Sequence, residues 1–126
     1  TPGAIGYVEF GFAEQAKLPM AELENKSGNY VAPTLENAKA ALAGVEMPAD
    51  MRAWLPDPEG AQAYPIVSYT WLLCYTEYDE AEKAAALKQL VAWCLSEGQK
   101  SSAEMGYVPL PENVVSAVKA QLDSIH

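Results

Sequence analysis

The stretch that decides the fold is Ile66-Val67-Ser68-Tyr69-Thr70-Trp71-Leu72-Leu73-Cys74-Tyr75. Its β-branched and aromatic content predicts a strand. Val67, Tyr69, Trp71, Leu73 and Tyr75 fall on one face, and Ile66, Ser68, Thr70, Leu72 and Cys74 on the other. Neither face carries a charge, so the strand is expected to be central and covered, with neighbours on both sides.

Upstream, residues 4–10 read as a short strand entered from a Pro-Gly turn, followed by a short helix over 12–17 closed by Pro19. Residues 20–24 and 30–32 flank the turn Asn25-Lys26-Ser27-Gly28-Asn29 as a two-stranded arrangement. Thr34 is placed to cap a helix carrying Leu35, Ala38 and Leu42 and ending at Gly44. Pro48, Pro56, Pro58, Gly60 and Pro65 then punctuate an irregular stretch, which Met51, Trp54 and Leu55 are expected to pin to a core. Downstream, Asp79 or Glu80 opens a helix with Leu87, Leu90, Val91, Cys94 and Leu95 on one face and Gly98 as its stop. Ser101 and Glu104 have the spacing of a capping box. After an extended 107–111 connector, Pro111 begins a last helix with Val114, Val115, Val118, Leu122 and Ile125 on its apolar face. Alternating elements of this kind predict an α/β fold. Two or three strands are few for four or more helices, so sheet partners are expected outside this chain.

The composition is that of a folded protein: half of the 126 residues are hydrophobic, and no stretch reaches the length of a membrane span. Neither a leader peptide nor a natural opening to a domain is recognisable at Thr1, which reads as the middle of a longer chain. Seventeen acidic residues against eight basic ones give a net charge of -9. That balance argues against nucleic acid and anionic membranes as partners.

Few residues invite chemistry. His126 is the sole histidine and is expected to be solvated or frayed, which leaves no zinc cluster and no Ser-His-Asp arrangement. Cys74 and Cys94 read first as two buried small hydrophobes, with a bridge between them left open. Asp50, Asp57 and Glu59 border the Pro-rich loop, and Asp79, Glu80 and Glu82 are explained by a helix N-terminus. Gly3-Ala4-Ile5-Gly6 lacks the length and the Gly-Lys-Ser/Thr ending of a phosphate loop. Asn25-Lys26-Ser27 matches a glycosylation acceptor, a match common by chance. Ser68, Tyr69 and Thr70 could line a cleft but read first as ordinary strand residues. Arg52, the sole arginine, has Asp50 and Asp57 as alternatives to a ligand. No catalytic, phosphate-binding or metal-binding residue is assigned in this segment, and no cofactor.

Four segments, in this order, carry a resemblance. They are Pro2-Gly3-Ala4-Ile5-Gly6-Tyr7-Val8-Glu9 with Ala13 and Gln15; Pro33-Thr34 with Asn37; Ala63-Tyr64-Pro65-Ile66-Val67-Ser68-Tyr69-Thr70-Trp71; and Gly106-Tyr107-Val108-Pro109-Leu110-Pro111. With them the chain resembles the phosphate-binding proteins of bacterial ABC transporters, a branch of the type II periplasmic binding proteins.

The resemblance implies part of a two-lobed α/β fold: residues 1–62 in the second lobe and connecting loop, residues 63–126 as a crossover strand and C-terminal helices packing on the first lobe. It implies the C-terminal portion of a non-enzymatic subunit, exported or lipid-anchored, that captures inorganic phosphate for uptake. The ligand groups, including the family's arginine and aspartate, belong upstream and match no position here. Implied partners are phosphate through the complete protein, a membrane permease and a complementary N-terminal chain; no nucleic acid is expected. A binding protein for another oxyanion, a phosphate sensor, an independent interaction domain and a phosphatase of similar architecture are the competing readings.

Overall fold

The computed structural model describes residues 1–126 and has a mixed α/β architecture with one small antiparallel sheet. In chain order the elements are α1 (Phe10–Gln15), β1 (Leu23–Glu24), β2 (Tyr30–Val31), α2 (Leu35–Leu42), α3 (Ala81–Cys94), two 3-10 turns (Glu97–Ser101 and Ala103–Met105) and α4 (Glu112–Leu122). No helix is long and apolar enough to cross a membrane.

Elements fixed by local chemistry form as their residues dictate. β1 pairs with β2 in the register Leu23↔Val31 and Glu24↔Tyr30. The turn between them is closed by Gly28 N–H donating to Asn25 C=O at 2.8 Å, with Gly28 at φ 79°, where a side chain would be strained. Thr34 Oγ1 accepts from Asn37 N–H at 3.1 Å and caps α2. Pro111 precedes α4, whose Val114 is almost fully buried.

α1 begins at Phe10, inside the predicted strand, and stops before Pro19. Lys17 adopts a left-handed φ of 51°, and Leu18 N–H returns to Ala13 C=O at 2.9 Å, a Schellman closure built without glycine. Helix α1 meets the second 3-10 turn backbone to backbone. A methyl on Gly11 would stand 2.7 Å from the Met105 carbonyl oxygen, and one on Gly106 would collide with Gly11 Cα. Side chains are excluded from that contact by volume, and at Gly106 also by its φ of 80°. The predicted capping box is absent: neither 3-10 turn has a side-chain cap, because residues 97–105 take the tighter spiral.

The core is small. Leu42, Ala53, Tyr69 and Val114 form its centre, with Val45, Met47, Leu55, Val67, Val108, Leu110 and Val118 packed around them. Leu55 and Met47 hold the irregular stretch down, but Trp54 does not. It is 83% exposed, with its ring 6.3 Å from that of Trp71. Cys94 is exposed, Cys74 half-buried, and both are free thiols, so the expected pair of buried small hydrophobes is not found.

The largest departure concerns residues 66–75. They form no strand of a sheet, and only Ile66 makes an isolated bridge, to Pro56. From Val67 to Cys74 no backbone group pairs with another backbone group. Residues 5–8 are likewise unpaired, with Ile5 and Tyr7 projecting fully into solvent. The physical reason is simple: a ladder needs a neighbour, and the rest of the chain supplies none.

The total accessible surface is 9213 Å². A compact monomer of this mass exposes only about 6,600 Å². Thirteen of 126 residues are buried, which matches that excess.

Tyr69 carries the one buried side-chain polar atom without a hydrogen-bond partner, its hydroxyl. Burial pushes its phenol above the ordinary value. Replacing Tyr69 with Phe is therefore expected to stabilise the chain by about 1 kcal/mol, read by urea denaturation. A folded-state pKa above the unfolded one costs nothing at neutral pH and erodes stability as pH rises past about 10. Tyr69→Phe reduces that alkaline loss, leaving the share from Tyr64 and Tyr107, whose phenols are also raised.

Candidate functional site

Two regions gather the residues singled out by their chemistry. The first is an open groove over the irregular stretch, lined by Lys26, Glu46, Arg52, Trp54, Asp57 and Glu59, among others. It holds the two cations best placed to attract an anion. Both are already engaged. Arg52 Nε donates to Asp50 Oδ2 at 3.0 Å, and Lys26 pairs with Glu59. The Arg52 N–H and guanidinium beside Asp50 hold that carboxyl below its usual value, and the Glu59 carboxylate raises the Lys26 ammonium. Since both ion pairs are exposed, their main effect is to neutralise the cations locally. An anion entering the groove would face more carboxylates than free donors.

The second region is the junction between the hairpin and residues 57–64, organised by Asn25. This side chain is 4% exposed. Its amide nitrogen donates to the carbonyls of Gly60, Ala61 and Ala63, each at 3.1 Å. Its oxygen accepts from Ser27 N–H at 3.0 Å and Asn29 N–H at 3.1 Å. Lys26 N–H donates to Asp57 Oδ1 at 3.0 Å, and Asn29 Nδ2 to Ala61 C=O at 3.1 Å, which completes the seam. The clamp is consistent with setting aside the Asn25-Lys26-Ser27 match as chance, since this amide is engaged and buried. Sequence reasoning missed the clamp because the three carbonyls that accept from Asn25 lie more than thirty residues away. The Asn-x-x-Gly-Asn turn was the available signal.

The remaining candidates lie apart. Ser68 and Thr70 are exposed on the unpaired stretch, while Tyr69 between them is buried. Ser68 Oγ donates to the Tyr69 carbonyl at 3.2 Å. Asp79, Glu80 and Lys83 line a shallow hollow with Tyr75, Glu77 and Tyr78 at the start of α3. The His126 imidazole is exposed, but its backbone is tied and not frayed. Its N–H donates to Thr76 C=O at 2.7 Å, and its carbonyl accepts from Tyr78 N–H at 2.8 Å. Gly3 turns at φ 79° in solvent. No three His, Cys, Asp or Glu side chains converge as metal ligands do.

Asn25→Ala is expected to destabilise the fold by about 2–4 kcal/mol, because buried carbonyls and amides lose their partner together. Amide exchange at Ser27 and Asn29 should rise selectively, and unchanged exchange would show the clamp to be dispensable.

No family model matches the chain. It is 41% identical to the phosphate-binding protein PstS of Methanocaldococcus jannaschii over 90% of this chain and 33% of that protein. With PstS of Pasteurella multocida it shares 33% identity over 94% of this chain and 35% of the relative. With PstS of Xylella fastidiosa the figures are 32%, 94% and 33%. The chain spans about a third of the length of the curated relatives it matches. Over nine-tenths of its length, this chain is a homologue of one third of the phosphate-binding PstS proteins.

Proposed function

We propose that this chain is the C-terminal portion of an extracytoplasmic solute-binding subunit that captures inorganic phosphate for an ABC transporter. The observation that carries the reading is identity of 32–41% across at least 90% of the chain with proteins named for phosphate binding. The act is reversible, non-covalent binding and not catalysis. Residues 1–62 would belong to one lobe and its connecting loop, and residues 63–126 to the return into the other. Phosphate would be enclosed between the lobes by groups in the two thirds of the protein that this chain does not match. A membrane permease would receive the loaded protein outside the cytoplasm.

Two features of the chain support the division of labour. Residues 67–74 and 5–8 have unpaired backbone and mostly apolar side chains, as strands of a larger sheet would. Lys26 and Arg52, meanwhile, are each occupied by a carboxylate of their own.

The test is a chimera in which this chain replaces the corresponding third of the M. jannaschii relative. Phosphate binding by equilibrium dialysis is expected for the chimera and not for the 126-residue chain alone. Arg52→Ala in the chimera is expected to leave affinity within about twofold, since an exposed ion pair contributes little. Specific phosphate binding by the isolated chain, or a folded chimera that binds none, would overturn the reading.

A further inference from the structure

We propose that Trp54 anchors a docking surface for a basic, arginine-bearing segment of a partner protein, received where this indole borders the acidic groove over the irregular stretch. The inference stands apart from phosphate capture and uses only groups of this chain.

An indole held in water forgoes the gain of burying it, and here the chain's own groups hold it there. Trp54 is 83% exposed, although it stands between buried Ala53 and half-buried Leu55. The loop that presents it is braced. Asp50 accepts from Arg52 N–H at 3.1 Å and from Arg52 Nε at 3.0 Å. Met51 N–H donates to Pro48 C=O at 2.8 Å, and Met51 C=O accepts from Trp71 Nε1 at 2.7 Å. Met51 itself sits at φ 59°, a left-handed conformation that costs a residue with a side chain. The Trp54 ring meets that of Trp71 at 6.3 Å, tilted by 45°, and is otherwise mostly open. Every group in the brace lies between Pro48 and Trp71, so the presentation is local. A ring already fixed in place loses little freedom when a partner covers it, which is what an interface anchor requires.

The groove of about 390 Å³ that Trp54 helps to line decides the charge of that partner. Its two cations are neutralised, Lys26 by Glu59 and Arg52 by Asp50. Glu46 and Asp57 form no ion pair, and Asp57 Oδ1 accepts only the Lys26 backbone N–H, at 3.0 Å. An uncompensated pair of carboxylates beside an open indole suits a cation that can also lie on an aromatic face. A guanidinium does both, since it is planar, stacks on indole and presents a fork of donors to carboxylates. An ammonium matches its charge but not its shape. Nucleic acid and anionic lipid are opposed by the same carboxylates and by the net charge of -9, which a second copy would only double.

The experiment titrates the isotope-labelled chain with tetra-arginine amide and with tetra-lysine amide, following the indole N–H resonance of Trp54. The two peptides carry equal charge, so attraction to an acidic protein as such cannot separate them. Tetra-arginine is expected to bind at least about threefold more tightly. Trp54→Ala should abolish that preference, and Trp54→Phe should retain part of it. Trp93→Ala, which removes the exposed indole of α3, and Glu82→Gln, which removes a distant charge, should leave it intact. Glu46→Gln should weaken both peptides alike, by up to about twofold at low salt. The preference should persist in the M. jannaschii chimera, where phosphate binding is read separately. Equal affinity for the two peptides, or a preference that survives Trp54→Ala in a folded chain, would overturn the inference. Its loss in the chimera would overturn it as well, because the rest of the polypeptide would then be what covers Trp54.

Discussion

A backbone amide removed from water must find a partner, and a strand apolar on both faces must find cover as well. Residues 66–75 are subject to both demands, and this chain meets only part of one. Helices α2 and α4 and the irregular stretch put Leu42, Val114 and Ala53 against Tyr69, and there the internal resources end. Everything else in the architecture arranges itself around that shortage. The core stays small, α3 packs on the turn that follows it, and residues 5–8 run free. The chain holds its shape mainly through local turns and seams, of which the Asn25 clamp is the best satisfied.

What could be read from the residues alone follows the same division. The hairpin around Asn25–Asn29, the Thr34 cap, α2 and the proline-led α4 are decided within a few residues of sequence, and each formed where its local chemistry placed it. Features set by distant partners were not legible. Asn25 read as an ordinary turn residue, and nothing near it in sequence announced the three carbonyls from residues 60–63 that close on it. Trp54, large and apolar, was expected inside, yet it faces solvent beside Trp71 because no facing surface exists for it. Strand character at 66–75 was visible as β-branched, aromatic and apolar content, but a strand is a relation between two segments, and no second segment of this chain pairs with it.

Charge illustrates how a composition can mislead about a site. A net charge of -9 discourages anions at long range, yet small anions are held by local donors. The relevant question is whether any cation is unengaged, and the groove answers it residue by residue. Arg52 is turned back two residues to Asp50, and Lys26 is taken by Glu59.

The contact between Gly11 and Gly106 sets direction as well as stability. Two main chains that touch without intervening side chains have no compressible layer between them, so the joint behaves as a fulcrum. Five residues of the arm ahead of α1 would, if fully extended at ~3.3 Å each, reach about 16 Å from that point. A tilt of about 10° at the joint would swing the arm's tip by roughly 3 Å, more than half the ~4.8 Å spacing between paired strands. A methyl group added at either glycine would therefore act at a distance, by mis-aiming a segment it never touches.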